Sequence, residues 1–174
     1  MPAAPRAGAR LTPSLFSHSI APDLASVVVK KAFKGRPATA ARATEAVLLL
    51  VGAGACDAAV PALLAGAGDR LPKVAGAAVG ALVAALEAFG PAALPLPALL
   101  AGLPPLYASK AGPVRDGAKK VTALLAACLG RGAVAPCLVR AGDALAKDVA
   151  ALTDAALAAG PLVPTRRTKA QEAA

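Results

Sequence analysis

Two stretches of this chain repeat the same punctuation. DRLPKV, starting at Asp69, carries charge and a proline, then runs into an apolar sequence of one long helix that stops at Phe89-Gly90. SKAGPVR, starting at Ser109, does the same, and its apolar run stops at Leu129-Gly130. Proline is favoured in the first turn of a helix and glycine just past its end, so each stretch is bounded as a helix. Between them lies a further apolar segment broken by Pro91, Pro95, Pro97, Pro104 and Pro105. A loop-plus-helix unit that recurs after about forty residues points to a stack of helix pairs, each burying a face that neither helix can bury alone.

The apolar side chains are suited to that packing. The chain is 57% hydrophobic but only 2% aromatic, with no Trp, one Tyr and three Phe among 174 residues. Its apolar content is mostly Ala, Leu and Val, and Ala and Leu head the helix-propensity ranking. The expected fold class is all-α, an α-solenoid of about four HEAT-like helix pairs. The pairs are predicted at 20–33 with 40–51, 58–67 with 72–89, 97–108 with 114–129, and 134–139 with 143–158. Asp57 is expected to cap the helix after it. Gly66 and Gly68 are expected to end that helix, and Gly130 with Gly132 the one starting at Val114. Pro104 and Pro105 should kink the helix they fall in. Residues 1–17 read as a disordered lead-in, 18–159 as the helical domain, and 160–174 as a basic, disordered tail.

The net charge is +9. That predicts an acidic partner without choosing among nucleic acid, an anionic membrane or an acidic protein. Part of the excess sits near the ends, at Arg6, Arg10, Arg166, Arg167 and Lys169. The rest has a pattern. In a regular stack, the loops inside the pairs project from one edge, and these loops hold Lys34 and Arg36, then Arg70 and Lys73, then Lys110 and Arg115. Lys73 and Arg115 fall at helix starts, where the macrodipole disfavours a cation by about 0.3–1 kcal/mol. An outside partner is one reason to keep them there.

The order of these segments resembles the later part of a TOG domain, the tubulin-binding HEAT module of microtubule polymerases, and most closely the first TOG domain of that family. The resemblance is carried by LPKVAGAAVGALVAALEAFG, by PLPALLAGLPPLYASKAGPVRDGAKKVTALLAACLG and by the tail VPTRRTKAQEA. ASVVVKKAFKGRPATAARATEAVLLLV looks like the family's third repeat. It covers about residues 18–172. It implies a partial TOG-type paddle that binds αβ-tubulin or the microtubule through its intra-repeat loops, without catalysis, as part of a polymerase carrying several such modules. Lys73 and Arg115 match the family's tubulin-contacting basic positions. Lys34 and Arg36 match less closely, since Ala38 and Ala40 stand where the family often carries Lys, and Arg70 and Lys110 lie in the same loops. The family has six repeats, and the four here resemble the third to sixth. The family's first-repeat loop carries a tubulin-contacting Trp, a residue type this chain lacks. The implied location is cytoplasmic and cytoskeletal: microtubules, spindle or organising centre. A monomer is expected, with no small-molecule substrate.

Other classes are disfavoured on residue grounds. Cys56, Cys128 and Cys137 are widely spaced and His18 is the lone His, so no zinc site or disulfide framework is expected. VLLLVGAGACD, ending at Asp57, looks like a glycine-rich dinucleotide turn, but Asp57 stands where the third glycine belongs and would face a pyrophosphate. No catalytic set, metal or cofactor is expected. The apolar run from Val74 is interrupted by Glu87 and by five prolines, which argues against a membrane span. Nucleic-acid binding rests on charge alone, without interleaved aromatics. A generic HEAT-repeat scaffold with another protein partner is the closest alternative.

Overall fold

The computed structural model describes residues 20–139 and 142–172. Residues 1–17, with Arg6 and Arg10, and His18 lie outside the described residues. Among the described residues there is no strand, and ten helices follow one another. They are α1 (Ala21–Val27), α2 (Pro37–Gly52), α3 (Cys56–Ala67), α4 (Pro72–Phe89), α5 (Leu96–Gly102), α6 (Pro104–Tyr107), α7 (Gly112–Leu129), α8 (Arg131–Leu138), α9 (Asp143–Ala158) and α10 (Lys169–Glu172). α1 continues into a π-helical turn over Val28–Ala32, and Pro91–Ala93 form a 3-10 turn.

The helices form two layers. The first members of the pairs, α1, α3, α5 and α8, neighbour one another in chain order, and so do the second members, α2, α4, α7 and α9. This is the stacked arrangement of a HEAT-like solenoid, with α4 at its centre between α2, α3 and α7. α4 is also the one described helix long and apolar enough to cross a membrane. Here its apolar surface is spent inside the protein. Val74, Ala78, Leu82, Leu86 and Phe89 are buried, together with six further residues of the same helix. One apolar cluster runs from Val29 and Phe33 through Leu63, Leu82 and Leu99 to Leu125 and Val134. Each fully buried Leu or Phe contributes about 1.5–3 kcal/mol of transfer free energy.

The small side chains set the spacing between helices. A Cβ built on Gly66 of α3 would stand 2.3 Å from Val29 Cγ1 and 3.2 Å from the Ala78 Cβ. One on Gly117 of α7 would stand 2.3 Å from Val79 Cγ1 of α4. These glycines are contact points, where backbone meets a side chain of a neighbouring element. Gly66 therefore does not end its helix, as its identity suggested; α3 runs on to Ala67. Gly132 likewise lies inside α8, and the stop belongs to Gly130 alone, at φ 90°. Asp57 is not the cap of α3 either. The helix starts at Cys56, its N-cap is Ala55, and no side chain caps it.

The proline pair interrupts rather than bends its segment. α5 ends at Gly102 and α6 restarts at Pro104, because neither Pro104 nor Pro105 can donate the N–H that would continue α5. The short α6 brings Tyr107 against α7. Its hydroxyl lies 2.6 Å from Thr122 Oγ1, which itself donates to the Ala118 carbonyl at 2.8 Å, so the phenol is the donor to Thr122. Both hydroxyls are thus satisfied. Burial raises the Tyr107 pKa.

The segment after Gly160 departs from the expected disordered tail. It runs back along the ends of α2 and α4. The backbone N–H of Arg166 donates to the Ala88 carbonyl at 2.8 Å, and Pro164 lies against Gly90. Thr168 is 3% exposed. Its backbone N–H donates to Gln171 Oε1 at 3.0 Å, and the Gln171 N–H donates to Thr168 Oγ1 at 3.3 Å. This reciprocal capping box starts α10. The charge-rich composition suggested a solvated tail, but these fixed contacts form a strap.

Candidate functional site

Two of the intra-pair loops fold by a common local rule. In the α3–α4 loop, Asp69 Oδ1 accepts from the Leu71 N–H at 2.9 Å. In the α6–α7 loop, Ser109 Oγ accepts from the Ala111 N–H at 3.3 Å. Each side chain thus mimics a backbone turn two residues on. Leu71 and Ala111 then take the same extended conformation, with φ/ψ of −85°/112° and −80°/116°, before a helix of 18 residues begins. Those helices end alike, at Gly90 with φ 76° and at Gly130 with φ 90°. The forty-residue repeat seen in the sequence is therefore a repeat of backbone geometry.

Three of these loops adjoin one another on one edge. Lys73, at the start of α4, extends its Nζ to the α1–α2 loop, donating to the carbonyls of Gly35 and of Lys34, the latter at 3.5 Å. The α3–α4 and α6–α7 loops share a cleft lined by Leu64, Asp69, Gly102, Leu106 and Ser109. The starts of α4 and α7 lie side by side, since a Cβ on Gly76 would meet Pro113 Cβ at 3.6 Å. Val139 leads into a fourth loop, of which Arg140 and Ala141 lie outside the described residues.

The structure thus brings together all six cations singled out in the sequence. Lys34, Arg36, Arg70 and Lys110 are exposed, and among the described residues no carboxylate pairs with their side chains. Lys73 is exposed and Arg115 half-buried. Arg115 Nη1 donates to the carbonyls of Ser109 at 2.7 Å and Lys110 at 3.2 Å, closing its own loop. Both helix-start cations therefore have intramolecular acceptors, which offsets the unfavourable dipole. The loop acid Asp69 is turned into its own backbone.

Residue types alone did not reveal the loop carbonyls as partners of Lys73 and Arg115, nor the strap on the opposite edge. The capping box was legible in principle, as Thr168-x-x-Gln171. The strap's main anchor was not: Arg166 Nη1 and Nη2 meet the two carboxylate oxygens of Glu45 at 3.0 and 2.9 Å, from 121 residues away. The hydrogen bond from Arg166 holds the Glu45 carboxyl below its ordinary range and raises the guanidinium pKa. Neighbouring second-layer helices are bridged by ion pairs, Lys119–Asp148 at 2.6 Å and Lys120–Glu87 at 2.9 Å. Burial raises the pKa of the Cys56, Cys128 and Cys137 thiols, with Asp57 adding to it at Cys56. No group of three His, Cys, Asp or Glu residues able to hold a metal occurs among the described residues.

Residues 8–141 match the family described as XMAP215/Dis1/CLASP, TOG domain. Centrosomal protein 224 of Dictyostelium discoideum is 30% identical over 105 residues, covering 60% of this chain and 5% of that protein. The chain thus spans a small fraction of the curated relative it matches. No solved structure matches. With a two-layer stack of helix pairs and a family match over most of its length, the chain belongs to the XMAP215/Dis1/CLASP TOG domain family.

Proposed function

We propose that this chain is a non-catalytic tubulin-binding module, a single HEAT-type domain beginning near residue 18 and continued past 159 by the strap. It engages an acidic surface of αβ-tubulin through the edge formed by its intra-pair loops. The observation that carries this reading is the juxtaposition on that edge of Lys34, Arg36, Arg70, Lys73, Lys110 and Arg115, with the loop acid Asp69 engaged by its own backbone. A cluster of exposed cations steers an oppositely charged partner and favours one orientation, and salt weakens it.

Within a longer protein, several such modules would raise the effective concentration of tubulin near a growing microtubule end, which is the polymerase role proposed here. The site of action that follows is the cytoskeleton, at microtubules or their organising centre. The module acts as a monomer and binds neither membrane nor nucleic acid in this reading.

The test is co-elution of the purified chain with αβ-tubulin on gel filtration at low salt. The wild-type chain forms a complex, and the triple charge reversal Arg36→Glu, Arg70→Glu, Lys110→Glu does not, with an unchanged circular dichroism spectrum. No complex for the wild type overturns the proposal. Equal affinity for duplex DNA and for tubulin would assign the charge to a generic basic surface instead.

A further inference from the structure

We infer that Lys73 is a positioning residue, whose task is to hold the α1–α2 loop, and with it Lys34 and Arg36, on the binding edge. This rests on the tubulin-binding reading for its functional consequence but not for its structural one. Lys73 belongs to the second helix pair, yet its ammonium donates to the carbonyls of Lys34 and Gly35 in the first. It is thus a bond between repeats, across 38 and 39 residues of sequence.

The loop offers these carbonyls no donor of its own. It is a short connection from the π-helical turn to α2, and Pro37 at the start of α2 has no N–H to give. Among the described residues no backbone N–H donates to either the Lys34 or the Gly35 carbonyl. The turn itself is tight. The Gly35 N–H donates to the Ala32 carbonyl at 3.0 Å, and a Cβ on Gly35 would stand 2.9 Å from Thr39 Cβ. A cation is a strong donor to such carbonyls, and a hydrogen bond to a charged group exceeds a neutral one in strength. Lys34, which carries one of the clamped carbonyls, and Arg36, which follows the other, are both exposed.

A residue that positions and a residue that touches the partner give different results. In the free chain, Lys73→Met removes the donor and keeps the aliphatic stem. Amide hydrogen exchange at Lys34–Thr39 should then speed up by about three- to tenfold, while that at Val114–Leu125 stays the same. Lys73→Arg, which keeps a donor cation, should restore most of the protection.

The second arm is a double-mutant cycle against αβ-tubulin with Lys73→Met and the pair Lys34→Ala, Arg36→Ala. If Lys73 positions those cations, its loss costs affinity when they are present and less than twofold once they are gone. Unchanged exchange in Lys73→Met, or losses that multiply in the cycle, would overturn the inference. If the wild type fails to bind tubulin, the functional reading falls, and the exchange arm still decides whether Lys73 holds the loop.

Discussion

Arg166 and Glu45 form a two-point ion pair at 3.0 and 2.9 Å that ties the end of the chain to the face of its second helix. The fork geometry of guanidinium on carboxylate fixes direction as well as distance. Together with the Arg166 N–H to Ala88 carbonyl bond, it anchors the strap at the helix ends opposite the basic loops. The chain itself thus covers the α2 and α4 part of one edge, while the loop edge carries exposed cations.

That pair makes the strap sensitive to acid. The folded-state pKa of Glu45 is lowered by the Arg166 hydrogen bond, so the stability it contributes is present above the ordinary carboxylate range and is lost as pH falls through the lowered value. Amide exchange at Arg166, corrected for its intrinsic pH dependence, should rise as pH falls below the ordinary carboxylate range. Glu45→Gln should show the faster exchange at neutral pH and lose the pH step.

The glycines inside helices fall into two classes with opposite signs. Gly66→Ala places a methyl against Val29 and Ala78, and should destabilise the fold by about 1–3 kcal/mol in denaturant titration. Gly80, in the exposed middle of α4, has open space where a Cβ would go. Gly80→Ala should stabilise by about 0.5–1 kcal/mol through helix propensity.

Leu82 is fully buried in α4, at the centre of the apolar cluster. Leu82→Ala should cost about 2–5 kcal/mol, read as a shift of the urea midpoint with the slope unchanged. Leu49→Ala, at a position 68% exposed on the neighbouring α2, should change stability by less than about 0.5 kcal/mol.

The thiols should react slowly and in order of access. Burial raises all three pKa values, so little thiolate is present at neutral pH. Cys128 is exposed and Cys137 buried. Iodoacetamide should therefore modify Cys128 first and Cys137 last, measured by peptide mass spectrometry over time.

The helix pairs were legible because their signals are local. Pro72 and Pro113 open the long helices, Gly90 and Gly130 close them, and the buried stripe from Val74 to Phe89 follows helical spacing. The family resemblance was legible because those segments keep their order, and the match over residues 8–141 bears it out. Gly66 and Gly132 were misread because a glycine that ends a helix and a glycine that lets another element approach look the same in one dimension. The π-helical turn at Val28–Ala32 has no composition signal, since its residues suit an ordinary helix. The strap was missed because Arg166 and Lys169 read as solvated charge until Glu45 and the Thr168–Gln171 box are placed beside them. At the candidate site, the alignment of six cations followed from the repeat. The bonds of Lys73 and Arg115 to loop carbonyls did not, because carbonyl acceptors are anonymous in sequence.

Tubulin binding by the basic loop edge is open to a direct test. The most direct measurement is the affinity of the purified chain for αβ-tubulin across a salt series, for the wild type and for the Arg36→Glu, Arg70→Glu, Lys110→Glu variant. Wild-type binding should weaken steadily with salt, and the variant, with its fold unchanged, should bind at least tenfold more weakly at low salt, a difference of about 1.4 kcal/mol. A wild-type chain that does not bind at low salt, or a variant that binds as well as the wild type, would contradict tubulin binding by this edge.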